Sequence, residues 1–130
     1  MTTDTRSFAA RFKALAEPPR LEILALLLHH GEMCVCDVEA VLDLTQSRAS
    51  RHIAILARAG LVEGRRAGMW VHYRVMPHPD PVAAGMLGVV ATFFPQDRLA
   101  DMSERLTAVR AAKARSAACV SPFQDPGVHS

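Results

Sequence analysis

The run from Arg20 to His30, "RLEILALLLHH", constrains this chain more than any other stretch. As a helix it is apolar on nearly every side, so it has no face to give to water and belongs at the centre of a domain. Pro18 and Pro19 stand at its start, where a proline leaves no amide unpaired. Gly31 follows as a C-terminal cap. Every other element must therefore wrap around one short buried helix. With 130 residues, half of them apolar, the chain is long enough to do so as a single domain and too apolar to stay disordered.

The flanking segments supply the wrapping. Phe8, Phe12, Leu15 and Ala16 recur at helical spacing and predict a helix over about 5–16. Beyond Gly31, a third helix is expected over roughly 36–42. "DLTQS" is then a tight connection, with Thr45 placed to cap a fourth helix, "QSRASRHIAILARAG", closed by Gly60. Two short helices joined so closely form a helix-turn-helix. In the fourth helix Ile53, Leu56 and Ala57 are expected to point inward, while Gln46, Ser47, Arg48, Ser50, Arg51 and His52 crowd its polar leading half. In "LVEGRRAGMWVHYRV", Met69, Val71, Tyr73 and Val75 alternate with Trp70, His72 and Arg74, which is strand periodicity. A β-hairpin turning at Arg66-Ala67-Gly68 follows from it. Pro77, Pro79 and Pro81 mark a boundary, and helices are predicted over 81–94 and 96–115, the second with Leu99, Met102, Leu106 and Val109 on one stripe. The chain thus divides into a domain over 1–115, with a reading helix at 46–60 and a wing at 61–75, and a tail at 116–130 expected to be mobile. The fold class is mainly α with a small β-hairpin.

Net charge, only +2, says little about partners, but its distribution says more. Between Gln46 and Arg74 lie six arginines (48, 51, 58, 65, 66 and 74) against one acid, Glu63. A helix that leads with arginine, serine and glutamine suits a DNA major groove: arginine pairs with guanine in bidentate fashion, glutamine with adenine, and serine reaches phosphates or bases. The basic tip with Arg65 and Arg66 would lie on the adjacent backbone or minor groove. Read alone, the arginines suit a solvated face equally well; turn, helix and hairpin in this order favour nucleic acid. No secretory signal opens the chain, and the apolar stretch 83–94 is shorter than the roughly 20 residues that span a bilayer. Three cysteines do not make a disulfide framework, so a cytoplasmic protein with reduced thiols and no membrane partner is expected.

Two of those cysteines sit in "MCVCD", Cys34 and Cys36, immediately before the helix-turn-helix. On a helix, residues i and i+2 point about 200° apart, whereas on an extended chain they share a face. One ion therefore takes both sulfurs only if the segment is extended or if the first turn of the third helix unwinds. Unwinding would tilt the support of the reading helix.

"ALAEPPRLEILALL", "MCVCD" and "LTQSRASRHIAILARAGLVEGRRAGMWVHYRV" together resemble the ArsR/SmtB family of metalloid- and metal-sensing repressors, over about Phe8 to Val75. The resemblance implies a homodimeric winged helix-turn-helix that sits on double-stranded operator DNA and leaves when an inducer binds. It implies a dimer seam built from the first and the late helices, which the apolar stripes at both ends of the chain would suit. It also implies that Cys34 and Cys36 ligate As(III) or Sb(III) as inducer, with no cofactor required. Many arsenical-sensing members carry a third cysteine where this chain has Glu39. The remaining sulfur is Cys119, which would have to close over the pair from the same or the other subunit. Three thiolates would fill the pyramidal coordination of a soft metalloid.

Other chemistries are weaker on the residues. A zinc or nickel site of this family would need partners for His78 and Asp80 further along the next helix, and Val89 to Thr92 offers none. A Cd(II) or Pb(II) sensor would use thiolates too, commonly with N-terminal cysteines, and none precedes Cys34. A thiol redox switch predicts a response to peroxide without metal. No catalytic constellation is visible; His29 and His30 are expected to cap helix carbonyls and His72 to be a strand residue.

Overall fold

In the computed structural model, which describes residues 4–119 with side chains through residue 116, helix α2 (Pro18–His30) is the centre. Five consecutive residues, Ile23 to Leu27, are buried, so the helix meets protein on all sides. Each such leucine or isoleucine contributes about 1.5–3 kcal/mol by leaving water. Gly31 ends the helix with φ of 82°, a left-handed conformation that a side chain would resist. Around α2 lie α1 (Thr5–Leu15), α3 (Val35–Leu42), α4 (Gln46–Arg58), α5 (Pro81–Phe93) and α6 (Gln96–Cys119). Helix α6 runs on through Cys119, four residues past the expected end.

The sheet is larger than the predicted hairpin. Strands β2 (Val62–Ala67) and β3 (Trp70–Val75) pair antiparallel, and β1 (Met33–Cys34) pairs with the other edge of β3, giving the order β1-β3-β2. Met33 faces Tyr73 and Cys34 faces His72. A two-residue strand carries no readable period, which is why only its partners were legible. The wing turns at Gly68-Met69, with Gly68 at φ 64°, so Ala67 is the last residue of β2 and not part of the turn. Met69 is exposed there.

Two other expectations change. In α4 the buried residues are Ala49, Ile53 and Leu56, while Ala57 is exposed, because the inward stripe follows 49, 53 and 56. On α6, Met102 and Leu106 are buried in the chain's own core, with Leu99 and Val109 packed at its edge. That stripe is therefore covered by the chain itself and is not available to a dimer seam. Among the described residues, the large apolar side chains left exposed are Phe8 and Phe12 on α1, Val89 and Phe93 on α5, and Met69.

Polar ties lock the layers. Arg11 of α1 donates to Ala59 O at 3.1 Å and forms a bidentate pair with Asp80, which itself caps α5 through the amides of Val82 and Ala83. The Arg11 guanidinium, helped by the Ala83 amide, holds the Asp80 carboxyl at about 2. Arg98 of α6 reaches Glu22 of α2 at 2.7 Å. His30 meets Ser103 of α6 through Nε2 at 2.8 Å, so it ties two helices together and does not cap α2.

Candidate thiol site and nucleic-acid interface

The thiol pair sits where a strand becomes a helix. Cys34 is the last residue of β1 and also the N-cap of α3, with extended backbone at φ −77° and ψ 159°; Cys36 lies in the first helical turn. Because only one of the two is helical, their sulfurs converge while α3 stays intact, with Cα atoms 5.3 Å apart. Unwinding of α3 is thus not required to bring them together. The two sulfurs lie close enough to be joined as a disulfide here, because the strand-to-helix junction puts both on one side. Cys34 is buried and Cys36 half-buried.

Asp37 completes a cluster in which the ligand atoms of Cys34, Cys36 and Asp37 all lie within 4.8 Å of one another. It is the one buried charged side chain among the described residues. Burying a carboxylate is costly unless it is paired, and α6 supplies the pair. Lys113 Nζ donates to Asp37 Oδ1 at 2.5 Å, to Cys36 Sγ at 3.1 Å and to Cys34 Sγ at 3.6 Å. Arg110 Nε stands 3.9 Å from the other carboxylate oxygen. Lys113 was not among the residues singled out from sequence. Its signal was there: the inward-facing stripe Met102, Leu106, Val109 continues at helical spacing to 113. Two soft sulfurs, that of Cys34 buried, fit a thiophilic metalloid better than a hard cation. Cys119 is the last residue of α6, and its side chain lies outside the described residues. Glu39, at the position of the missing third cysteine, is half-buried on α3.

Two connections lead from this cluster to the basic face. Strand β1 is hydrogen-bonded to β3 of the wing, and α3 packs on α4. The turn between the helices uses Asp43 in the left-handed region, φ 55°, which aspartate tolerates better than most residues. Thr45 then caps α4 by accepting from the Arg48 amide at 3.2 Å.

The cap leaves Gln46, Ser47, Arg48, Ser50 and Arg51 exposed at the head of α4. Their side-chain ends meet no acidic partner among the described residues. His52 is different: it is half-buried, with Nδ1 3.2 Å from Arg20 Nη1. Burial, with Arg20 beside it, pushes its imidazole below the ordinary value, so it is neutral at pH 7. On the wing Arg66 is exposed, whereas Arg65 donates through Nε to Glu32 at 3.0 Å and pairs with it through Nη2. Arg74 faces Glu63 across the hairpin and bonds it at 2.6 Å. Of the six arginines the sequence grouped together, two therefore carry an acidic partner from the same chain.

Comparison with known proteins agrees with this architecture. Residues 17–64 match the model of the bacterial regulatory protein, arsR family. The chain is 42% identical over 100 residues to the arsenic resistance transcriptional regulator ArsR1 of Pseudomonas putida, covering 72% of this chain and 78% of that one. It is 47% identical over 76 residues to the arsenical resistance operon repressor of Escherichia coli (strain K12), covering 58% of this chain; the match spans 65% of the repressor's own length. Among solved structures, HlyU from Vibrio cholerae superposes with a TM-score of 0.59 at 30% identity, over 72% of this chain and 98% of that one. The homodimeric winged helix-turn-helix DNA-binding domain Mb0332 from Mycobacterium bovis gives 0.57 at 29%, over 71% and 88%. The AntR antimony-specific transcriptional repressor gives 0.54 at 28%, over 68% and 78%. A winged helix-turn-helix with this degree of identity to arsenic regulators belongs to the ArsR family of bacterial regulatory proteins.

Proposed function

We propose that this chain is a homodimeric transcriptional repressor, not an enzyme, that holds double-stranded operator DNA and releases it when As(III) or Sb(III) binds Cys34 and Cys36. One observation carries the proposal: two sulfurs and a carboxylate within 4.8 Å of one another sit on a junction that is bonded to the wing and packed against the reading helix. The kinship with arsenical repressors and the likeness to an antimony-specific one support the choice of ion. An ion bridging Cys34 and Cys36 would pull on β1 and α3 together, so the strain reaches DNA-facing elements by two paths. Coupling of this kind is usually worth about 1–3 kcal/mol, or roughly 5–150-fold in affinity.

On the DNA side, Gln46, Ser47, Arg48, Ser50 and Arg51 would face bases and phosphates in the major groove, with Arg65 and Arg66 on the flanking backbone. His52 would act at the edge of this surface, held by Arg20. Phe8, Phe12, Val89 and Phe93, exposed on α1 and α5, suit a two-fold seam that places two reading helices in successive grooves. A homodimer of related fold supports that assembly. No helix among the described residues is long and apolar enough to cross a membrane, which suits action on DNA in the cytoplasm. Cys119, at the end of α6, is a candidate third thiolate from either subunit.

The test is operator binding by fluorescence anisotropy on reduced protein, titrated with As(III), Sb(III), Cd(II), Pb(II) and Zn(II), for wild type and each Cys→Ser variant. Release by arsenite or antimonite, lost in Cys34→Ser and Cys36→Ser, is the expected result. Release by cadmium or lead but not arsenite would instead make this a cadmium or lead sensor. Unaltered induction of Cys119→Ser would remove Cys119 from the site. A second reading, a thiol redox switch, is favoured by the Cys34–Cys36 disulfide. In it the two thiols give two electrons and two protons to a peroxide, forming the disulfide and releasing water and an alcohol, or two waters from hydrogen peroxide. Peroxide would then release the operator without any metal.

A further inference from the structure

Lys113 offers chemistry at the thiol site that two cysteines cannot provide. Its ammonium lies within 3.6 Å of both sulfurs and 2.5 Å from Asp37, and it arrives from a helix far away in sequence. Asp37, buried and charged, fixes the ammonium in place. Any ion that bridges the two sulfurs has this donor beside it.

We propose that Lys113 makes the third contact to the bound metalloid by donating a hydrogen bond to an oxygen that arsenic retains, so that the site selects inorganic As(III) over organoarsenicals. This rests on Cys34 and Cys36 being the ligands. Arsenous acid carries three hydroxyls. Two thiols displace two of them: two As–S bonds form, two As–O bonds break, and each departing hydroxide leaves as water with one thiol proton. The third As–O bond stays and the oxidation state of arsenic is unchanged. An ammonium is well suited to that remaining oxygen, because charge-assisted hydrogen bonds are the stronger class. A monosubstituted organoarsenical uses both hydroxyls on the thiols and turns a carbon group toward the ammonium, which then loses solvation with no new bond. Lys113 also answers the missing third cysteine from within the described residues. Cys119 stands six positions further along α6, about 9 Å of helical rise beyond Lys113.

The test uses the reduced full chain with two probes, arsenite and phenylarsine oxide. Calorimetry gives the affinity of each for wild type, Lys113→Met and Lys113→Arg, and X-ray absorption counts the atoms around arsenic. Expected are two sulfurs and one oxygen at arsenic in the wild type. Lys113→Met should weaken arsenite by about 10–100-fold, the range of one lost charge-assisted hydrogen bond, and leave phenylarsine oxide equal or tighter. Lys113→Arg, which keeps a donor, should retain most of the arsenite affinity. Three sulfurs at arsenic, or equal weakening of both probes in Lys113→Met, would overturn the role of Lys113 while leaving the cysteine pair standing. Failure of the wild type to bind either probe would refute the cysteine pair itself and the proposal with it. Should Lys113→Met not fold, the coordination count on wild type decides alone.

Discussion

The thiol cluster and the head of α4 treat charge in opposite ways. At the cluster every charge is answered from within the chain: Asp37 has Lys113 and Arg110, and the ammonium also touches both sulfurs. At the head of α4, Arg48 and Arg51 stand exposed with no acid against them among the described residues, and Arg66 does the same on the wing. The difference follows from the size of the expected partner. A polyanion brings its own charges and gains most where cations are unpaired and solvated. A small neutral acid such as arsenous acid brings none, so a site that awaits it must already be electrostatically closed.

The sharpest break of this comparison comes from the sulfurs. Cys34→Ser or Cys36→Ser should abolish arsenite-driven release while operator binding persists, as read by anisotropy with and without arsenite. Loss of operator binding in both would mean that the junction supports the fold and not a response. Next in size, Arg48→Ala and Arg51→Ala should each weaken operator binding by about 1–3 kcal/mol and, where the contact is to phosphate, flatten the salt slope by about one. Titrations at several salt concentrations separate the two kinds of contact, and unchanged affinity would show that the reading helix is elsewhere.

A smaller effect sharpens the contrast within the wing. Arg65 is held by Glu32 and Arg66 is not. Arg66→Ala should therefore cost more operator affinity than Arg65→Ala, and Glu32→Gln, which frees Arg65, should tighten binding by a few-fold at low salt. Equal losses from the two arginines would show that Glu32 yields to DNA at no cost. The smallest effect concerns the Arg11–Asp80 tie, far from both surfaces. The folded carboxyl titrates at about 2 against an ordinary value of 3.8. A depressed carboxyl contributes its stability above the ordinary value and loses it as pH falls toward 2. The melting temperature of Asp80→Asn should thus sit below wild type near neutrality and converge with it between pH 4 and 2, as thermal scans would show.

The elements that were legible in sequence are those with long apolar periods or unambiguous punctuation. The all-apolar run at 20–30, the prolines and Gly31 around it, the Thr45 cap and the alternation at 69–75 each act through near neighbours, and each appears as expected or within a residue or two. The elements that were not legible act across the chain. β1 is a strand only because β3 lies beside it. Lys113 meets Cys34, Cys36 and Asp37 across 76 or more positions, a separation at which no local pattern speaks. The α6 stripe was visible, but which surface would cover it was not, since an apolar face is the same whether its partner is the same chain or another.

Residue order by itself therefore determined the central helix, the helix-turn-helix, the basic wing and the two neighbouring thiols, because helix and strand periods, caps and turns are short-range properties of the backbone. Tertiary structure alone decided that the two sulfurs meet with α3 intact, that a lysine from α6 stands over them, and that two of the arginines already have acidic partners. Those are matters of which distant surfaces come into contact, and burial energy settles them only when the whole chain has packed.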